Sequence, residues 1–482
     1  MANGVCVPRR PGQATVRLLR GAALAGALLA AVACGSKQAP ASPVTIVKQT
    51  ASAAQLGAGE TATPGGPAAT ASLAGTPGAS TPPTAASATA AGGGTPRVGL
   101  TPANGKTPAA GGFAPGGLPV RTPAGGAEGC VDAVFDRLTP QQRVGQLFMV
   151  GLSSAMPRSG ATAAAITSTH AGNVVLYGTG WQGAATVQQT AAWLQSLAGP
   201  DSTGDIRPFV SGNQEGGQQG SLQAFYGAGF EAIPPALTQG QMPPATLRRD
   251  AATWGAQLRD AGVNLDLAPV LDTVDAANAA ANAPIGALQR EYGFTPDAVA
   301  RAGVAFIAGM HDADEAVAIK HFPGLGRVTG NTDFTAQGIT DNDTTTADTY
   351  LQPYQQGIAA GAEFVMVSVA SYMQIDPGKP AVFSHRIVTD LLRSQLGFQG
   401  VIISDDMGAA AAVAAYPPAD RAVRFFRAGG DMVLTIEPND IAPMTQAVLS
   451  EMQRDPTFAQ TIADSARRVL AVKQRAGLLP NC

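Results

Sequence analysis

Titratable side chains gather just behind four short apolar runs. Asn213-Gln214-Glu215-Gly216-Gly217 follows the run at 208–211, and Asp272-Thr273 follows the run at 263–270. Lys320-His321 closes the run at 316–319, and Asp405-Asp406 closes the run at 401–404. A carboxylate so placed can attack an anomeric carbon, provided that a second group protonates the leaving oxygen. A cation and an imidazole side by side can donate hydrogen bonds to sugar hydroxyls. The Phe322-Pro323-Gly324 that follows them imposes a sharp, stiff turn. One polar strand end says little, because strand ends often meet solvent. Several at successive ends form a pattern.

Such groups must be brought to one place by the elements that carry them. Eight nearly continuous apolar runs, at 146–152, 173–177, 208–211, 263–270, 316–319, 364–369, 401–404 and 432–435, read as strands buried on both faces. Helix-like stretches separate them, among them 244–261, closing on Gly262, and 348–360. Eight strand–helix units predict a single (β/α)8 barrel, although an open doubly wound sheet would give similar local signals. In a barrel the C-terminal strand ends converge on one mouth, so the polar groups above would share a pocket.

Not all of the 482 residues are domain material. Arg9, Arg10, Arg17 and Arg20 precede an apolar run at 21–33 that is too short to span a bilayer, the pattern of an export signal. Ala31-Val32-Ala33-Cys34 resembles a bacterial lipobox, which would make Cys34 a lipidated N-terminus and the membrane a partner. The expected organisation is a signal peptide at 1–33, a disordered Ala/Thr/Pro/Gly-rich linker at 34–127 and one barrel domain at 128–482. The linker has too few large apolar residues to offset its chain entropy. The protein is accordingly expected on the outer face of the cell membrane, or secreted, as a monomer. In an oxidising compartment Cys130 and Cys482, at the two ends of the domain, could be bridged. A net charge of -3 with 13% charged residues leaves no basic patch for nucleic acid. No metal-ligand cluster, phosphate-binding glycine loop or cofactor motif is present in the sequence, so neither cofactor nor metal is expected.

Taken in order, several pieces resemble glycoside hydrolase family 3. They are Gln214-Glu215-Gly216-Gly217, Ala268-Pro269-Val270-Leu271-Asp272, Asn282-Ala283-Pro284-Ile285-Gly286 and Arg290-Glu291-Tyr292-Gly293. Lys320-His321-Phe322-Pro323-Gly324, Ser404-Asp405-Asp406-Met407 and the closing Arg468-Val469-Leu470 with Lys473 complete the set. The chain stops soon after the eighth unit and is similar to the one-domain branch, the β-N-acetylglucosaminidases that act on cell-wall fragments. The resemblance implies that Asp405 is the nucleophile of a retaining reaction, with Asp406 a supporting carboxylate. It also implies that Lys320, His321 and Arg290 bind hydroxyls of the terminal sugar, and that Glu215 is mainly structural.

The pattern breaks in three places. Where that branch carries an Asp-Ser-His triplet, whose histidine is its acid/base, this sequence reads Asn331-Thr332-Asp333. Asp333 therefore inherits the role, which burial and the charge of Asp405 could support by raising its pKa. Arg327, Asp341 and Asp343 are alternatives on the same loop region, while His170, His311 and His385 fall elsewhere. Asn213 stands where an Asp usually accepts from sugar hydroxyls, and Gln218 where Arg is common, both of which weaken charge-assisted binding. The expected function is an exo-β-N-acetylhexosaminidase acting on terminal β-linked N-acetylglucosamine, drawn from peptidoglycan fragments. A β-glucosidase or broad glycosidase, and a non-catalytic sugar-binding lipoprotein, are the competing expectations.

Overall fold

The computed structural model describes residues 127–480. The leader, Cys34, the linker up to residue 126 and Cys482 lie outside them. Ala127–Arg137 already forms a helix, one residue ahead of the expected domain start.

Eight parallel strands close into a barrel. They are β1 (Phe148–Ser153), β2 (Asn173–Tyr177), β3 (Phe209–Gly212), β4 (Leu265–Asp266), β5 (Ala316–Phe322), β6 (Phe364–Val367), β7 (Val401–Asp406) and β8 (Met432–Thr435). Each pairs with its neighbours in sequence, and β8 returns to β1 through Phe148↔Val433 and Met149↔Leu434. That pairing excludes an open sheet. All eight expected runs appear as strands, with one marked change of length. The run at 263–270 yields only Leu265–Asp266, because Pro269 has no N–H to give the ladder. The chain still tracks β5, through Lys320 N to Pro269 O (3.2 Å) and Leu271 N to Lys320 O (2.7 Å).

The helices form where caps and stops agree. Pro244–Asp260 starts on proline and ends before Gly262, whose φ of 80° suits a residue without Cβ. The stretch expected as helix at 348–360 is shorter and two-part. Asp348 caps a 3-10 turn at Thr349–Leu351, which leads into Gln352–Ala359. The last helix, Pro456–Arg475, seals the N-terminal end of the barrel. Its buried Lys473 Nζ donates to Gln146 Oε1 (2.7 Å), Gly172 O (2.8 Å) and Arg207 O (3.2 Å), just ahead of β1, β2 and β3. Burial, with no acidic partner among the described residues, pushes this ammonium well below its ordinary pKa. The two ends of the domain also meet: Arg467 Nε binds Asp132 Oδ1 (2.9 Å) and its guanidinium lies over Phe135. Cys130, on the same first helix, is disulfide-bonded.

Glu315, just ahead of β5, is buried, and neither of its carboxyl oxygens has a hydrogen-bond partner among the described residues. Burial first, then the charges of Asp266 and Glu363, push it well above the usual carboxylate range, against Arg259. It keeps its proton in the fold at a pH where the unfolded chain has lost it, so folding becomes costlier as pH rises above 4.5. Glu315→Gln removes that penalty. In urea melts between about pH 5 and about pH 6.5, the variant should gain on wild type by about 1.4 kcal/mol per pH unit. A stability difference that stays constant over this range would show that Glu315 ionises normally.

Candidate active site

The mouth is organised around a buried anion. Directly after β3, Gly216 and Gly217 take φ of 97° and 84°, and a Cβ on Gly216 would stand 2.3 Å from Pro234 O. This turn aims Glu215 inward, where Arg290 Nε meets its Oε2 at 2.8 Å and Arg290 Nη2 its Oε1 at 2.8 Å. Lys320 Nζ meets the same Oε1 at 2.6 Å. Burial alone would raise the Glu215 pKa; the charges of Arg290 and then Lys320 overcome it and bring it down to about 2. Glu215 is thus a fixed carboxylate and no proton donor. Lys320 Nζ also donates to Asn213 Oδ1 (3.1 Å), and Arg290 Nη1 to Pro284 O (2.9 Å). These contacts engage two of the ammonium's three N–H groups and three of the guanidinium's five, leaving donors for a ligand.

A second buried pair lies beside it. His321 Nδ1 sits 2.7 Å from Asp272 Oδ2, while Asp272 Oδ1 accepts from Leu325 N (2.8 Å), the Tyr354 hydroxyl (2.8 Å) and His321 N (3.3 Å). Burial opposes ionisation of Asp272, yet the imidazole beside it and these hydrogen bonds hold the carboxyl below its ordinary range. With Nδ1 occupied, the ring is fixed and Nε2 is its remaining polar atom. Asn282 braces the loop behind, its amide donating to Leu325 O and Val328 O at 2.7 Å each.

The remaining aspartates come from β7 and from the loop after β5. Asp405, partly exposed near the end of β7, accepts from Asp406 N (2.9 Å) through one oxygen. Asp406 turns away and accepts three backbone amides, from Gly408 (2.9 Å), Ala409 (2.9 Å) and Ile436 (3.0 Å), tying β7 to β8. Asp333 is carried here by the loop after β5. That loop is closed at its neck by Thr329 N and Gly330 N, both on Gly338 O (2.9 and 2.8 Å). It is fastened to the segment after β7 by Ala411 N on Asp333 O and Ala412 N on Thr332 O, each 3.1 Å. Asp333 is exposed to solvent, yet the protein around it removes part of its hydration. That desolvation, then the charge of Asp405, pushes its carboxyl up, against the pull of Arg290, His321 and Lys320.

The structure sorts the remaining candidates. Arg327 is spent on Asp348 (2.7 Å) and Thr344 (2.6 Å) and stacks on Tyr350. Asp341 is buried, accepting from Asp343 N, Thr344 N and Thr344 Oγ1. Asp343 is exposed beside it. His170, His311 and His385 face Ser202 O, Glu363 and Asp390, none of them at the mouth. Sequence reasoning missed Tyr354, which lies in a helix and carries no signal of its contact with Asp272. It also missed the Ala411–Ala412 fastening, which uses only backbone. Among the described residues, no group of three or more His, Cys, Asp or Glu could hold a metal ion.

Comparison with known proteins agrees with this geometry. Residues 139–472 match the glycosyl hydrolase family 3 N-terminal domain. Over 244 residues the chain is 36% identical to β-hexosaminidases of Xanthomonas oryzae pv. oryzae and Stenotrophomonas maltophilia, covering 49% of this chain and 69% of each relative. Among solved structures, a β-N-acetylhexosaminidase from Beutenbergia cavernae is 49% identical, with a TM-score of 0.68 over 70% of this chain and 99% of that one. A family 3 β-N-acetylglucosaminidase from a Paenibacillus species is 27% identical, with a TM-score of 0.63 over 72% of this chain and 64% of that one. The family match spans the whole barrel, from the helix before β1 into the last helix: the chain belongs to glycosyl hydrolase family 3 and is a glycoside hydrolase.

Proposed function

We propose that the protein is an exo-acting, retaining β-N-acetylhexosaminidase that removes terminal β-linked N-acetylglucosamine, with Asp405 as nucleophile and Asp333 as acid/base. The observation that carries this reading is the division of the mouth. Lys320, Arg290 and His321 form a polar floor fixed by Glu215 and Asp272, and Asp333, which has no ion-pair partner among the described residues, lies in electrostatic reach of that floor and of Asp405. The relatives named as hexosaminidases supply the acetamido sugar.

The remaining N–H groups of Lys320 and Arg290, with His321 Nε2 and the Asn213 amide, hold the hydroxyls of the terminal sugar. Asp405 attacks the anomeric carbon as Asp333 delivers its proton to the glycosidic oxygen, and the aglycone leaves. Asp333, now a carboxylate, takes a proton from water, which attacks the same carbon and frees Asp405. Two inversions give net retention. The basic leader and Cys34 support a lipid-anchored enzyme on the outer face of the membrane, where peptidoglycan fragments are the available substrate.

Turnover of aryl β-N-acetylglucosaminide well above aryl β-glucoside is the expected result. The reverse preference would make the protein a β-glucosidase, and binding without turnover of either would make it a sugar-binding protein. Asp405→Ala should lower kcat on the preferred substrate by about a thousandfold or more, with the circular dichroism spectrum unchanged.

The acid role has its own signature. Asp333 must hold its proton when substrate arrives, so kcat/KM should fall as pH rises through its raised pKa. Asp333→Asn should flatten that alkaline limb. It should slow a natural disaccharide by about 10²-fold or more while sparing an activated aryl glycoside. An unchanged disaccharide rate would remove Asp333 from the mechanism.

A further inference from the structure

The five exposed large apolar side chains among the described residues all follow the C-terminal ends of barrel strands. Met156 lies after β1, Leu288 and Phe294 after β4, Phe334 after β5 and Met373 after β6. All are in segments between a barrel strand and the helix that follows it, at the end of the barrel where the site lies. Phe334 is the most exposed of them, at 75%. Its exposure is not that of a loose loop tip. Its own N–H bonds to Asn331 O (3.1 Å), Thr335 N bonds to the same oxygen (3.0 Å), and the residue before it is fastened to Ala411. The fold therefore holds a large ring in water directly beside Asp333.

We propose that Phe334 is a specificity-determining residue whose ring is the platform for the leaving group, a second pyranose with an apolar face. This rests on Asp333 being the acid. The proton donor must reach the glycosidic oxygen, and the aglycone begins at that oxygen, so the residue adjoining the donor meets the aglycone and not the terminal sugar. The floor reads hydroxyls on the edge of the terminal sugar. The next sugar lies beyond Lys320, Arg290 and His321 and offers its C–H face instead, for which an aromatic ring is the matching surface.

The test compares two substrates of the whole enzyme. One is the β-1,4-linked N-acetylglucosamine disaccharide. The other is N-acetyl-β-glucosaminyl fluoride, whose leaving group has no face to stack and needs no proton. In Phe334→Ala, the ratio of kcat/KM for the disaccharide to that for the fluoride should fall about tenfold, mostly through KM, and Phe334→Trp should restore it. An unchanged ratio overturns the proposal. So does a loss confined to kcat with a displaced alkaline pH limb, because the ring would then only be holding the Asp333 loop. Asp333→Asn, run in parallel, reads the acid separately. If that variant keeps the wild-type ratio, the acid assignment fails, whatever Phe334 does.

Discussion

Everything at the mouth of this barrel depends on one buried carboxylate, Glu215, held between Arg290 and Lys320. The three residues come from the ends of β3, the segment after β4, and β5, separated by up to 105 positions in the chain. No single pair would do. One carboxylate beside one cation would leave the second cation buried and uncompensated, and breaking such a buried contact costs about 3–5 kcal/mol. The triad satisfies the carboxylate, leaves N–H groups of both cations free for a ligand and carries one net positive charge, and so fixes both the shape and the sign of the floor. Asn213 shows the cost of altering its edge. Its amide oxygen takes a hydrogen bond from Lys320, so a neutral side chain occupies the place where the resemblance expects a carboxylate.

The same electrostatics assigns different duties to five neighbouring carboxyls. Glu215 and Asp272 are held ionised by cationic or hydrogen-bonding partners despite their burial. Asp406 is pushed up by burial but answered by three backbone amides, which makes it a hinge-pin between β7 and β8. Asp405 and Asp333 have no ion-pair partner among the described residues, and at Asp333 desolvation and the charge of Asp405 favour the proton. One functional group, carried by one glutamate and four aspartates, thus meets several different environments, separated only by what each oxygen touches.

Much of this was legible before any coordinates. Continuous apolar runs declare buried parallel strands, and the polar residues at their ends declare the mouth, because both follow from local composition. The strand at 263–270 was overestimated since hydropathy does not register that Pro269 lacks an amide proton. Pairing was invisible for a different reason. Arg290 and Glu215 each look like isolated site residues in the sequence, and only the closure of the barrel turns them into one clamp. The Ala411 and Ala412 amides that fasten the Asp333 loop could never be read from side-chain identity, since any residue but proline would supply them.

The substitution of a carboxyl for an imidazole at position 333 is consistent with the charges around it. In the free enzyme the Asp405 charge helps keep Asp333 protonated, ready to donate. In the proposed cycle, attack on the sugar converts Asp405 to an ester and that charge disappears. Desolvation of Asp333 remains, but the pull of Arg290, His321 and Lys320, all of which favour its ionised form, is then no longer opposed by a like charge. On that proposal the loss of the Asp405 charge favours Asp333 as a base in the second step. A neutral donor also avoids placing another cation against the positive floor, which a protonated imidazole would do. In the proposed cycle the same charges that fix the floor would also draw the proton from Asp333.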